Sequence, residues 1–337
     1  MTRLFENVAC FTDIHYGLKH NAKLHNLDCI DFTEWFIEQA QLRDCETCIF
    51  LGDFHHHRSS INVSTMHHAF KGLELLNEAF KNVYIITGNH DLFYREKRDV
   101  SSLIISKNFN NIHLIDEPIV IKDVALVPWL VEEEWKTVKS IKSKYMFGHF
   151  EIPGFKMNAH VEMPDQGHIN RRHFEHQDYV FSGHFHKRQA KDNVHYIGNP
   201  FGHNYADAWD DERGAMFLTW GEKPEYVNWD NSPKYITCLL SDLLNNVEEY
   251  LKPKTHARVT LDVDISYEEA NFLRETFLDT YNIRELKLIH SQDSEHDQEV
   301  EGEITFQTVD QIVVEQLNNI ESDTFDTARL IEIYNGL

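Results

Sequence analysis

Five times in this 337-residue chain an apolar run breaks off into aspartate, asparagine or histidine. The run ending at Phe11 leads into Thr12-Asp13-Ile14-His15, and Cys48-Ile49-Phe50-Leu51 leads into Gly52-Asp53. Val83–Thr87 leads into Gly88-Asn89-His90-Asp91, the run ending at Phe147 into Gly148-His149, and that ending at Ser182 into Gly183-His184-Phe185-His186. Each run predicts a short buried strand, at 8–13, 48–53, 83–87, 144–147 and 179–182. In open α/β sheets ligands collect beyond the carboxyl ends of the strands, so the five tips are expected to converge. Glycine before the polar residues in four of the five lets the chain turn sharply there.

Aspartate, histidine and asparagine without cysteine make a mixed nitrogen and oxygen donor set, which suits Mn, Fe or Zn better than Ca or Mg. Seven candidate ligands are too many for one open catalytic ion. They suit two ions sharing a bridge, which we assign to Asp53. Such a pair, about 3.5–4 Å apart, activates water and neutralises a phosphate during in-line displacement. With 22 histidines some matches arise by chance, but all five motifs occur in order at strand ends.

Composition allows this. The chain is 42% hydrophobic and 12% aromatic, enough for a packed core, and has no run of 18 apolar residues. Its first residues lack a signal-peptide core, so a soluble, cytoplasmic protein is expected. Five cysteines, one of them (Cys48) at the start of a predicted strand, argue against a disulfide framework. The formal charge of −23 opposes unaided DNA binding, but residues 233–337, with 8 Lys/Arg against 22 Asp/Glu, carry −14 of it.

Between the motifs, Leu27, Ile30, Phe36, Ile37 and Ala40 have helical spacing. A second helix, capped by Ser64, carries Met66, Phe70, Leu73, Leu76 and Phe80 on one stripe, either core or a dimer seam. Short strands are expected at 112–115, 119–121, 124–128, 194–197 and 213–220. Proline, glycine and polar residues between Gly221 and Pro233 suggest a boundary. Beyond it, Val259, Leu261, Val263 and Ile265 alternate, Ser266 and Glu269 form a capping box, and Leu286 and Leu288 mark a return strand. This predicts a β-α-β cap over 233–290. An acidic linker (291–303) and a tail of two amphipathic helices (304–337) complete the chain.

The series DxH, GD, GNHD, GH and GHxH over residues 8–200 resembles the calcineurin-like metallophosphoesterases. In order and spacing it is similar to the SbcD-type nucleases of double-strand-break repair, and in length and acidic tail to the small nuclease subunits of T-even-like phages. The resemblance implies an α/β sandwich of two facing sheets flanked by helices, with the cap and helical tail appended. By motif, Asp13, His15 and His186 would hold one cation, and Asn89, His149 and His184 the other, with Asp53 between them. Mn2+ is the expected ion, with Mg2+, Fe2+ or Zn2+ as alternatives.

His90 would assist the leaving oxygen and Asp91 would orient its ring. A further catalytic histidine, three past the bridging aspartate in the family, falls on His56. Phe54 and His55 depart from the family pattern, and leave His55 or His56 for that role. The resemblance further implies a DNA exonuclease and endonuclease acting in recombination and repair. It would be a homodimer, with the Ser64–Phe80 stripe as candidate seam, and its tail helices would dock on an SMC-like ATPase of the SbcC type. A small-substrate phosphatase or cyclic-nucleotide phosphodiesterase, and a non-catalytic assembly subunit, are the competing readings.

Overall fold

The computed structural model describes residues 3–157, 161–165 and 168–290. The expected linker and tail helices lie outside the described residues.

Among the described residues fifteen strands form three sheets. β1 (Asn7–Phe11), β2 (Thr47–Phe50), β3 (Asn82–Ile86) and β4 (Ile112–Ile115) run parallel. The first sheet also holds β11 (Gly214–Thr219) and β12 (Glu225–Asn228), in the order β12-β11-β1-β2-β3-β4. The second sheet is built from β5 (Ile119–Ile121), β6 (Val124–Val127), β7 (Tyr145–His149), β8 (Tyr179–Gly183), β9 (Gln189–Lys191) and β10 (Val194–Tyr196). Its order is β5-β6-β7-β8-β10-β9.

Strand alternation explains the layering, because successive side chains leave a strand on opposite faces. Val8, Cys10, Ile49, Leu51 and Ile86 meet Val124, Leu126, Tyr145, Phe147 and Phe181 in one core between the sheets. The intervening Ala9, Phe11, Cys48, Phe50, Val83 and Ile85 face outward against Phe32, Phe36, Ala69, Leu73 and Leu76 of helices Lys23–Gln41 and Val63–Ala79. On the far side of the second sheet Ala125, Val127, Met146 and Val180 pack on Phe150, Phe155 and Phe174. Helices and loops therefore cover two central sheets, as the resemblance implied. Cys48 is core, as read.

Three local expectations need correction. Asn62, not Ser64, caps the second helix, its side chain accepting from the Ser64 amide at 2.8 Å. Leu73, Leu76 and Phe80 of its stripe are buried against the chain's own core, and Phe70, 40% exposed, lies against Phe109 with the rings tilted. Three of the five stripe residues are therefore spent on the interior, while Met66 is half-buried and Phe70 exposed. The cap's first strand was also missed. β13 (Lys234–Leu239) pairs in parallel with β14 (Thr255–Leu261), which pairs in parallel with β15 (Glu285–His290). β14 ends at Leu261, so Val263 is 41% exposed. The capping box on helix Tyr267–Tyr281 forms with both its hydrogen bonds.

This third sheet is tied to the first helix by Arg284, whose guanidinium holds both oxygens of Asp28. Asp28 is 3% exposed at its side chain, and its next cation, Lys254, stands 3.8 Å away. Arg284→Met is expected to cost about 3 kcal/mol, because it leaves a buried carboxylate poorly paired. Urea unfolding measures it. Adding Asp28→Asn should recover most of the loss; an additive double variant would refute the pairing.

Candidate metal centre

All seven predicted donors gather at the carboxyl-end edge of the two sheets. Asp53, 2% exposed, lies at the centre: its Oδ2 is 3.7 Å from His15 Nε2 and 3.5 Å from His149 Nε2. On one side Asp13 Oδ1 stands 3.9 Å from both His15 Nε2 and His186 Nε2. On the other, Asn89 Oδ1 is 3.0 Å from His149 Nε2 and 3.0 Å from His184 Nδ1.

The backbone is bent to allow this. Asp13, His15, Asp53 and His184 all have positive φ, at 52, 51, 61 and 89°. Such left-handed geometry in side-chain-bearing residues collects at functional sites. Gly88 is needed for a different reason. A Cβ there would lie 2.2 Å from Asp53 Oδ1 and 2.3 Å from its amide nitrogen. Only glycine lets the β3 loop lie against the Asp53 carboxylate.

Hydrogen bonds behind the rings select their tautomers. His149 Nδ1 donates to the Leu51 carbonyl at 2.7 Å, which leaves the Nε2 lone pair facing Asp53 and Asn89. His184 Nε2 approaches Glu151 Oε1 at 3.4 Å, which leaves Nδ1 toward Asn89. Glu151 is braced in turn by Arg95 at 3.3 Å, and Arg95 lies over the Trp129 ring. Neither nitrogen of His15 has a hydrogen-bond partner among the described residues.

Electrostatics point the same way. Burial disfavours charge on His15 and holds its ring well below the usual histidine range, against the pull of Asp53. Burial also disfavours charge on His149, but Asp53 beside it lifts that ring to about 9. Burial alone would raise Asp53; the rings of His149, His90 and His15 hold it well below the carboxylate range instead. Without a cation, a proton shared with His149 must offset this buried carboxylate. The ion-pair partners of Asp13 and Asp53 are histidines, with no lysine or arginine among them in the described residues. Buried anions, imidazole nitrogens that face them and a side-chain carbonyl fit divalent cations, which would take the place of the proton on His149.

The GNHD loop departs from expectation in one respect. Asp91 does not orient the His90 ring. Its two oxygens accept from the backbone amides of Gly88, Asp53, Phe54 and His55 at 2.9–3.1 Å. The His90 ring is instead held by Nδ1 on the His56 carbonyl at 2.7 Å, while the His90 amide donates to Asp53 Oδ1 at 2.8 Å.

His55 and His56 differ in what their rings meet. His55 turns to Ser102, with Nδ1 2.9 Å from its Oγ. His56 stacks on His90 at 5.3 Å and 16°, and its ring centre is 5.4 Å from that of His15. Burial, then the neighbouring His90, pushes His56 down to about 3, so it is a neutral imidazole.

Sequence reasoning missed Glu151 and His203. The first stands two residues beyond the GH motif, a signal that was available. His203 belongs to no motif, yet its ring lies 5.1 Å from that of His186.

Two facing sheets thus carry this Asp, His and Asn cluster on their shared edge. No family model matches the chain. Among individual proteins, the chain is similar to exonuclease subunit 1 of Enterobacteria phage T4, 29% identical over 229 residues, a match covering 64% of this chain and 65% of that protein. The chain thus spans just under two thirds of that relative's length. Among solved structures, a nuclease from Pseudomonas putida is 20% identical over 56% of this chain and 66% of its own, with a TM-score of 0.30. A dimetal phosphatase from Danio rerio is 11% identical over 66% of this chain and 95% of its own, with a TM-score of 0.39. Among the described residues no helix is long and apolar enough to cross a membrane.

Proposed function

We propose that this chain is a two-metal phosphodiesterase that cuts DNA, working as the nuclease subunit of a recombination and repair complex. The observation that carries the reading is the position of Asp53, flanked by His15 and His149, with Asp13 and His186 beyond one and Asn89 and His184 beyond the other. Asp13, His15 and His186 would hold one cation and Asn89, His149 and His184 the second, with Asp53 shared. Two such ions would supply charge neutralisation on the phosphate and an activated water. Mn2+ is the ion we expect.

The chain's own groups do the remaining work. His90 is anchored twice, by its amide on Asp53 and by Nδ1 donating to the His56 carbonyl, so the Nε2 hydrogen of its imidazolium form is the one that would pass to the leaving oxygen, with the ring returning to the neutral Nδ1–H tautomer. His56, neutral and stacked on that ring, holds its plane. Similarity to a phage exonuclease subunit supports the DNA substrate and the need for a partner. The formal charge of −23 supports a partner that supplies much of the DNA grip, for which an SbcC-type ATPase docked on residues 304–337 is our candidate. A homodimer belongs to the same proposal.

The test is digestion of end-labelled duplex DNA in Mn2+, with His90→Asn as control. The variant should lose about 10²–10⁴ in turnover while binding the same amount of metal, since His90 holds a proton and no cation. Undiminished cleavage by His90→Asn would remove it from the mechanism. Hydrolysis of a small phosphodiester with no cutting of DNA would favour the small-substrate reading instead.

A further inference from the structure

Beyond β10 the chain passes through Gly198, Asn199 and Pro200 to His203, a segment outside the five motifs. His203 is 2% exposed, and neither ring nitrogen has a hydrogen-bond partner among the described residues. Leaving a buried polar group unpaired costs about 1–3 kcal/mol, so a ring with two such atoms calls for an explanation. Its position supplies one. The His203 ring centre lies 5.1 Å from that of His186 and 5.4 Å from that of His15. One ligand nitrogen from each of the three falls within 4.8 Å of the other two.

The residue is also held in place by everything except its ring. Its backbone amide donates to Asp207 Oδ2 at 2.8 Å, and Asp207 Oδ1 in turn accepts from the buried Arg213 at 2.9 Å. Phe201 and His25 close the ring in from behind, at 5.5 and 5.7 Å between ring centres. The Arg213 brace fixes where the imidazole stands, and leaves one of its nitrogens beside those of His15 and His186.

We infer that His203 is an additional ligand to the cation held on the Asp13, His15 and His186 side. This rests on the dinuclear reading above. Three imidazoles on that side, against two imidazoles and an amide oxygen on the other, make the pair unequal. The His203 side should prefer borderline cations such as Mn, Fe, Co or Zn to Mg more strongly than its neighbour does.

The full chain, wild type and with His203→Phe or His203→Asn, is stripped of metal and titrated with Co2+ against a competing chelator. Either substitution should weaken one of the two binding steps by about tenfold or more, as lost support at metal sites generally does. The cobalt absorption spectrum of that step should change, and the other step should keep its affinity. Melting temperatures of the stripped proteins show whether each variant is folded, and Asn serves should the larger Phe disturb packing. The Co2+-loaded wild type gives a reading that needs no variant. Its paramagnetically shifted imidazole signals should number one more than His15, His149, His184 and His186 account for. Two unchanged binding steps, or no fifth shifted imidazole, would overturn the inference and leave the dinuclear centre standing. A wild-type chain that takes up no cation at all would overturn both.

Discussion

Asparagine at position 53 is expected to cost at least about a thousandfold in turnover and to weaken both cations together. The magnitude follows from position: removing a single well-placed charge-stabilising group costs about 10²–10³, and Asp53 is proposed to serve two ions at once. Asparagine keeps the size of the side chain and the carbonyl oxygen that accepts from the His90 amide at 2.8 Å. It removes the charge that His15 and His149 face at 3.7 and 3.5 Å. Bound metal, counted by elemental analysis after dialysis, should fall from two ions toward none, and cleavage of labelled DNA should fall with it. A variant that still held two ions would show that the carboxylate is not shared, and the proposed centre would have to be redrawn.

The second large effect is on stability. Asp91→Ala should destabilise the protein by about 4 kcal/mol, since four buried amides lose their acceptor at once. Those amides belong to two loops, Gly88 after β3 and Asp53, Phe54 and His55 after β2. Asp91 is thus the strut that sets the Asp53 carboxylate against Asn89 and His90. Burial, and then the charge of Asp53, pushes its acid dissociation up to about 7, against the amides that favour the carboxylate. Denaturant unfolding in chelator measures the loss with metal set aside. A loss under about 1 kcal/mol would mean that water replaces the carboxylate at all four amides, and that Asp91 is not a strut.

The clustering of these side chains was legible because the chemistry proposed for them and strand geometry both leave local marks. Asp13, Asp53, Asn89, His149 and His184 each follow an apolar run at a fixed short distance, and a sheet carries such tips to one edge. Residues that act across the fold left no comparable mark. His203 reaches the cluster only because β10 pairs with β8 and returns the chain to the same edge. The role of Asp91 was misread for a related reason. Its neighbour in sequence, His90, is not its partner in space; the backbone amides of the β2 loop are. Short edge strands escaped as well. β9 and β12 are three and four residues long and only partly buried, too brief for a pattern of period two. β13 was hidden behind the polar stretch that suggested a boundary, although Tyr235 and Ile236 are buried.

The proposed donors come from strands of both sheets, the first at Asp13 and the last at His186 or, with the further ligand, His203. A chain emerging from the ribosome therefore owns no working centre until most of it has been made and both halves have closed on each other. For the DNA-cutting enzyme proposed above, such an arrangement would act as a safety catch, because no stretch of chain that stops short of His186 carries all seven proposed donors.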